Sequence, residues 1–366
     1  MRFSDVLDIR NGRNQRQVEN ENGKYPIYGS GGVMGRADDF ICDAETVVIG
    51  RKGSINNPIF VNEPFWNVDT AFGLIAHRDV LLPKYLYYFC VNFDFERLNT
   101  TVTIPSLTKA NLLQIEINVP EMDKQRYIVR VLDKVCHLIE LRQQELRELD
   151  LLVKSRFIEL FGDVIGNSKS WQMRVFSDIA SSRLGKMLDA KQQTGKCSYP
   201  YLANFNVQWF RFNLDNLNQM DFDEDDRIEF ELRDGDLLVC EGGEIGRCAV
   251  WHNEAQPCYF QKALHRVRCN RQIIHPDYLA WWFKYNCDHD GFAAIAGAKA
   301  TIAHLPGVKL KQLYVAVPPL ELQEQFAAFV EQTDKSKYYS YLCYYSCLLA
   351  AQKYRQEWMS CLTLHS

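Results

Sequence analysis

The sequence has no apolar run near the 18 residues that a membrane span needs, so no span is available. It has no Cys-x-x-Cys pair among its 12 cysteines, which fits a reducing compartment better than a disulfide framework. It has no excess of positive charge. Its 42 Lys and Arg stand against 46 Asp and Glu, a net −4, which argues against a uniformly basic nucleic-acid coat but leaves room for a local basic face. It lacks a GxxxxGK[ST] phosphate loop, an HExxH motif and a strand-linked GxGxxG, so the familiar nucleotide and zinc-hydrolase signatures are missing. Met1-Arg2-Phe3-Ser4-Asp5 leads into folded-looking sequence without an apolar secretory segment, and the expectation is a cytoplasmic protein. What is there suits a folded chain: 47% apolar and 24% charged residues. A length of 366 residues exceeds what one core usually supports, so two or more domains are expected.

The most informative feature is a repeat. Phe3-Ser4-Asp5-Val6-Leu7-Asp8-Ile9-Arg10-Asn11-Gly12 returns as Phe176-Ser177-Asp178-Ile179-Ala180-Ser181-Ser182-Arg183-Leu184-Gly185, with Phe, Ser, Asp, Arg and Gly identical. Pro83-x-Tyr85-Leu86-x-Tyr88 returns as Pro276-x-Tyr278-Leu279-x-Trp281, and residues 104–125 return as 302–323 in the pattern I..L....L.Q....VP....Q. The spacing between matches grows along the chain, which puts about 25 extra residues into the interior of the second copy. A shared frame around unlike interiors suggests one architecture put to two recognition tasks. The period is far too long for a solenoid, so this is a duplicated domain.

Each copy ends on a short apolar strand, Ile115–Val119 or Leu313–Val317, then proline, then a long helical pattern. From Ile128 the apolar positions Leu132, Val135, Ile139, Leu146, Leu149, Val153 and Leu160 are spaced by about 3.5, with Arg142 at one seam site. About 40 residues at 1.5 Å each make a rod of about 60 Å, expected to stop at Phe161-Gly162-Asp163, with a linker at 166–168. The second rod, from Pro319 to Trp358, is rich in tyrosine: Tyr338, Tyr339, Tyr341, Tyr344 and Tyr345. These rings either pack along a helix seam or form a docking surface for another subunit. Two such rods would lie antiparallel as a spacer, since an amphipathic helix must bury its stripe. In the globular parts, Glu45–Gly50 and Gly235–Cys240 read as buried strands, each followed by a glycine-bearing polar loop.

Catalytic chemistry is thin. Asn57-Pro58-Ile59-Phe60 falls one residue short of the Asn-Pro-Pro-aromatic signature of DNA amino-methyltransferases and reads as a turn. Cys343-x3-Cys347 and Cys361-x3-His365 have helical i, i+4 spacing that suits zinc, but without a knuckle they read as small helix residues. His265 alternates with apolar neighbours and reads as a strand residue. Basic, amide and aromatic side chains interleave in the turns instead: Arg10, Arg13, Arg16, Tyr28, Ser30, Arg51, Lys52, Ser54, Lys186, Asn204, Asn206, Trp209, Arg211, Arg247, Lys262, Arg266, Arg268 and Lys299. Loops of this kind bring cations to phosphates and amides or guanidinium groups to base edges. The expectation is that matched loops in both copies share this character.

The chain resembles the specificity (S) subunits of type I restriction–modification enzymes over nearly its whole length. Val317-Pro318-Pro319-Leu320-Glu321-Leu322-Gln323-Glu324-Gln325 is similar to the I-P-L-P-P-L-x-E-Q opening of a family helix, and Asn118–Gln125 is a looser copy. Phe157-Ile158-Glu159-Leu160-Phe161-Gly162-Asp163 is similar to the family's F-x-x-x-F-G-[DN] helix end. Tyr25–Gly32 and Ile49–Ser54 resemble the framework of its target recognition domains. The resemblance implies an α+β chain with a pseudo-twofold internal repeat. Two similar target recognition domains, 1–120 and 164–318, would be separated by two long antiparallel, coiled-coil-like helices, 121–163 and 319–360. Each domain would read one half of a split double-stranded DNA target. Arg13, Tyr28, Ser30, Arg51, Lys52, Ser54, Lys186, Asn204, Asn206, Trp209, Arg247, Lys262 and Lys299 are the candidate contacts. Phe326, Phe329, Tyr338 and Tyr341 are the candidates for docking two methyltransferase (modification) subunits. The chain itself would hold no cofactor or metal and catalyse nothing. S-adenosylmethionine, ATP and magnesium would belong to the modification and restriction subunits. A methyltransferase or nuclease with its own active site is the alternative.

Overall fold

The computed structural model describes residues 1–99, 105–189, 193–293 and 304–360, with side chains to 353. The chain forms two compact units, Met1–Gln143 with Leu342–Ser366, and Gln144–Tyr341. Each holds one globular domain and part of each of two long helices.

In the first unit, α1 (Phe3–Val6) leads into β1 (Leu7–Asn11), and β2 (Tyr25–Gly29), β3 (Gly32–Ala37), β4 (Thr46–Gly50), β5 (Ile59–Val61), β6 (Trp66–Asn67) and β7 (Ala71–Ala76) follow. One sheet has the order β1-β7-β4-β5 and the other β3-β2-β6, with β2 and β6 parallel. The run Thr46-Val47-Val48-Ile49-Gly50 is buried at every position, as a strand covered on both faces must be, and it lies between β7 and β5. Then come α2 (Pro83–Asn92), α3 (Lys109–Leu113) and α4 (Met122–Phe161). Proline opens α2, where its missing N–H leaves no bond unmade.

The second unit repeats the plan. Its elements are β8 (Gln172–Val175), α5 (Phe176–Ile179), β9 (Ala180–Leu184), β10 (Ser198–Leu202), β11 (Val207–Gln208), β12 (Arg211–Phe212), β13 (Asn218–Asp221), α6 (Glu224–Phe230), β14 (Leu237–Cys240), β15 (Cys248–Val250), β16 (Tyr259–Phe260), β17 (Leu264–Cys269), α7 (Pro276–Asp288), α8 (Gly307–Lys311), β18 (Tyr314–Val317) and α9 (Leu320–Ser360). The sheet β9-β17-β14-β15 matches β1-β7-β4-β5 strand for strand, and β13-β10-β16 matches β3-β2-β6. The extra residues fall mainly where β2 and β3 are joined by Ser30 and Gly31 alone. There the second copy inserts 203–217, including the β11–β12 hairpin.

The frame is held identically in both copies. Gln125, fully buried, accepts from Leu82 N at 2.9 Å and donates to Val80 O and Pro120 O at 2.8 Å. Gln323, also fully buried, accepts from His275 N at 2.8 Å and donates to Ile273 O at 3.1 Å and Pro318 O at 2.8 Å. Tyr85 Oη donates to Asn118 O at 3.0 Å, and Tyr278 Oη to Ala316 O at 2.5 Å. Each glutamine ties the start of a long helix to the segment entering α2 or α7. Two expectations need correction. The run Leu313–Val317 supplies a strand paired with β8, but Ile115–Val119 makes only a bridge, Arg2 with Glu116, flanked by Met1–Ile117 hydrogen bonds. The segment 166–168 is no loose linker. Asp163 Oδ1 and Oδ2 accept from Ile165 N and Gly166 N, and Val164 joins the core.

The end of α4 shows why the helix stops. Gly162 takes φ +69, a left-handed conformation that terminates helices and favours glycine. The last carbonyls find side-chain donors: Lys169 Nζ on Glu159 O and Leu160 O, and Trp171 Nε1 on Phe161 O at 2.9 Å. Along α4 the seam residues Val135, Ile139, Leu146 and Leu149 are half-buried, and Val153 and Phe157 are buried. Within the second unit α9 runs antiparallel to α4. Phe157 and Phe161 pack on Phe326, Asp150 pairs with Lys337 at 2.8 Å, and Glu145 accepts from Ser340 at 2.6 Å. In the first unit Gln143 donates to Tyr344 Oη at 3.0 Å.

Candidate nucleic-acid interface

In the first unit four segments meet at one end of the sheets. Arg13 N bonds Asn67 O at 2.8 Å, Val68 N bonds Tyr28 O at 3.0 Å, and Arg51 N bonds Thr70 O at 2.7 Å. The turn after β1 can lie this close because Gly12 has no side chain, as a Cβ there would stand 1.7 Å from Val68 O. A Cβ on Gly50 would likewise stand 2.9 Å from Ser30 Cβ. The segments thereby bring together Arg13, Tyr28, Ser30, Arg51, Lys52 and Ser54. The two arginines, Lys52 and Ser54 are exposed, and Tyr28 and Ser30 are half-buried. Tyr28 sets its ring edge-on to Phe65 at 5.3 Å, and burial, then Glu63, raises its phenol above the ordinary value, so it stays neutral. The Arg51 guanidinium lies over Phe72, 5.8 Å from the ring centroid, which holds the cation while leaving it open to solvent.

The corresponding end of the second unit has the same backbone and different side chains. Glu241 N bonds Ala263 O at 3.0 Å, and Leu305 N bonds Glu241 O at 2.7 Å, as Leu107 N bonds Arg51 O at 2.9 Å. Gly243 at φ +82 matches Gly53 at φ +80. Glu241 and Gly242 therefore stand where the first copy has Arg51 and Lys52. The expected sharing of basic character does not hold at this loop, because an identical backbone path imposes no charge on exposed side chains. At the turns after β1 and β9 both copies are basic, with Lys186 following Gly185 as Arg13 follows Gly12.

Several second-unit candidates serve the fold. Lys186 forms an ion pair with Asp226 and donates to Asp221 O at 2.7 Å, with 18% of its side chain exposed. Asn206, 1% exposed, donates to Asn213 O and accepts from Ala203 N, both at 2.9 Å, closing the base of the inserted hairpin. Arg247 donates to Asn204 Oδ1 at 2.6 Å and to Asn204 O at 3.1 Å, while Asn204 Nδ2 reaches Gly242 O at 2.8 Å. Trp209 Nε1 donates to Glu244 at 2.6 Å, and Lys284 Nζ sits 4.9 Å from the Trp209 ring centroid. These bonds fasten the hairpin onto the 241–247 loop. Lys262 is exposed, and Lys299 lies outside the described residues. Burial lowers the pKa of His265, whose Nε2 is 2.9 Å from Leu305 O, an arrangement that fixes a loop. Sequence reasoning missed Phe205, 53% exposed on the insertion. Among Tyr201, Leu202, Val207, Trp209, Phe210 and Phe212, one more aromatic gave no sign of which way it faces.

The docking candidates divide. Phe326 is fully buried among Phe157, Phe161 and Trp281 and offers no free surface, and Phe329 is half-buried with Arg156 over its ring at 5.9 Å. Their positions on α9 face α4 and α7, a direction that apolar character alone does not reveal. Tyr338 and Tyr341 are exposed. Among the described residues no cluster of three His, Cys, Asp or Glu could hold a metal, and Cys361 and His365 lie outside them. No described helix is long and apolar enough to cross a membrane.

A family model for the type I restriction modification DNA specificity domain matches residues 1–151 and again 168–338. The chain belongs to this family. It is a DNA-recognition subunit with two specificity domains, one for each copy of the duplicated sheets. A specificity subunit chain named for a type I restriction enzyme of Haemophilus influenzae is 22% identical over 328 residues, 85% of this chain and 80% of that one. The S subunit of a type I restriction–modification system from M. genitalium superposes with a TM-score of 0.66 at 16% identity, covering 97% of this chain and 94% of that one. A chain from a structure concerned with complex assembly and conformational transition of the type I restriction–modification system gives 0.59 at 14% identity, covering 98% and 96%. At these identities the likeness establishes the shared fold of the specificity subunits.

Proposed function

We propose that this specificity subunit reads a bipartite double-stranded DNA target, one half with each domain, and is itself non-catalytic. In this reading two modification subunits dock on its helices and supply S-adenosylmethionine-dependent adenine methylation. Restriction subunits add ATP- and magnesium-dependent cleavage, and the assembly works in the cytoplasm. The observation that carries the reading is the same pair of sheets built twice with unlike side chains at the same end. Such a chain can present two different sequences with two different faces from one frame. In the first domain Arg13, Arg51 and Lys52 supply exposed cations for phosphates or base edges, with Tyr28, Ser30 and Ser54 beside them. In the second, Lys262 and the hairpin held by Asn204, Trp209 and Arg247 take that place. Methylation mapping of DNA from cells carrying this chain with its modification partner tests the proposal. The expected result is a methylated motif of two specified halves around an unspecified gap, and an undivided motif would overturn it. S-adenosylmethionine binding by the purified chain alone would favour an enzyme with its own active site.

A further inference from the structure

The duplicated frame allows the two helix faces to be compared position by position, and at one place they differ in charge. In the first unit Lys84, the second residue of α2, donates to both carboxylate oxygens of Asp133 on α4, at 2.9 and 2.8 Å. Tyr88 Oη donates to the same carboxylate at 2.6 Å. The matched glutamines Gln125 and Gln323 and the matched prolines Pro83 and Pro276 fix the equivalents in the second unit. Asp277 stands where Lys84 stands, Glu331 where Asp133 stands, and Trp281 replaces Tyr88. A carboxylate has replaced the cation, and its carboxylate partner remains.

The result is a groove of about 750 Å³ between the start of α7 and α9. Its floor is apolar, with Ala327, Ala328 and Val330, and the tyrosines Tyr338 and Tyr339 close one end. Four carboxylates line it, from Asp277, Glu324, Glu331 and Asp334, with His252, His275 and one lysine, Lys335. Lys335 pairs with Glu331 at 2.7 Å, Lys337 reaches Asp334 at 3.2 Å, and His275 lies 3.4 Å from Asp277, so the carboxylates still outnumber the lysines. Burial, with Asp334 and Glu331 nearby, pushes the Asp277 carboxyl up to about 6, although His252 and Arg271 oppose the shift. A negative, partly apolar groove repels DNA phosphates and suits a protein segment that carries a cation on an apolar body.

We propose that, where a modification subunit docks on these helices, a lysine or arginine of that subunit enters this groove to occupy the place that Lys84 fills in the first unit. This rests on the reading given under Proposed function. It has a consequence for the assembly. The first unit carries its cation within the chain, so the two modification subunits meet chemically different surfaces and bind with different salt dependence.

The test uses the full chain with its modification subunit, with stoichiometry from native mass spectrometry and affinities from titration at several salt concentrations. Asp277→Lys rebuilds the pair found in the first unit, and Glu324→Lys changes an exposed helix position, so both variants are expected to fold, with thermal melting as the check. Each should weaken one of the two binding events about tenfold or more and flatten its salt dependence, leaving the other event as in the wild type, while Asp277→Glu binds normally. Wild-type binding of both copies by both lysine variants would overturn the proposal. So would equal weakening of both copies, or a loss confined to the restriction subunit. If the wild-type chain takes up no modification subunit at all, the functional reading fails with it, a result distinct from those three.

Discussion

Arg51 and Lys52 are exposed at the end of a buried strand, whereas Lys186 and Arg247 are spent on Asp226 and Asn204. These two kinds of basic residue should respond differently to substitution. Lys52→Ala should weaken DNA binding and lower the slope of log affinity against log salt by about 1, as the loss of one phosphate contact does. Binding isotherms at several salt concentrations check this, and if Lys52 instead reads a base, one target position relaxes by about 1–3 kcal/mol. Arg247→Ala should leave the salt slope unchanged and relax the second half-site, because it frees the hairpin that Asn204 anchors. Methylation mapping with the variant reads this out. Asp277 gives a pH prediction. Its folded carboxyl, pushed up to about 6, titrates above the ordinary value of 3.8, so ionising it costs the fold stability. That cost is fully present above about pH 6 and gone below about pH 4. Asp277→Asn should therefore raise the melting temperature by a few degrees at pH 8, and the gain should fade as the pH falls through 6. Burial pushes His275, 3.4 Å from Asp277, down to about 4, so the variant's own stability should decline as the pH drops towards that value.

At the scale of elements, one buried glutamine ties each long helix to the domain before it. Gln323→Ala would strand His275 N and Ile273 O, both part-buried, and the buried Pro318 O. A cost of about 1–3 kcal/mol is expected, with a similar loss for Gln125→Ala, both measurable by urea unfolding. The repeat of Phe-Ser-Asp and a terminal glycine has a matching cause. Phe3 and Phe176 are fully buried, and a Cβ on Gly12 or Gly185 would stand 1.7 Å from Val68 O or 2.4 Å from Gln261 O. Glycine is required there because the backbone just after β6 or β16 crosses at that point.

At the scale of the molecule, α4 and α9 are each continuous helices that contribute to both units. If helix length sets the gap in a split target, the gap should follow the helix. Four residues inserted after Gln144, matched by four in α9, add about 6 Å and about 40° of turn. That rise approaches two base pairs at about 3.4 Å each. Methylation mapping should then show a wider gap between unchanged half-sites. Altered half-sites around the original gap would contradict the ruler.

The sequence by itself determined the duplication, the two long helices and the point where the first of them stops, and through these the family. Such features are written in periodicity, in glycine and proline, and in recurrent buried residues, all of which answer to local backbone geometry and to the need for a core. Gln125 and Gln323 stood out as identities for the same reason, though not what they hold. Only the tertiary structure decided which polar residues are free. Lys186, Asn206 and Arg247 read as contacts because their side chains can make them, and the fold gives each a partner distant in sequence, Asp226, Asn213 and Asn204. Phe326 looked like open apolar surface until α4 and α7 closed over it. The reversal of charge from Lys84 to Asp277 is visible in the letters but acquires meaning only when the fold sets Asp133 and Glu331 opposite them. Local sequence dictates which element forms, whereas the availability of a side chain depends on what folds against it from elsewhere in the chain.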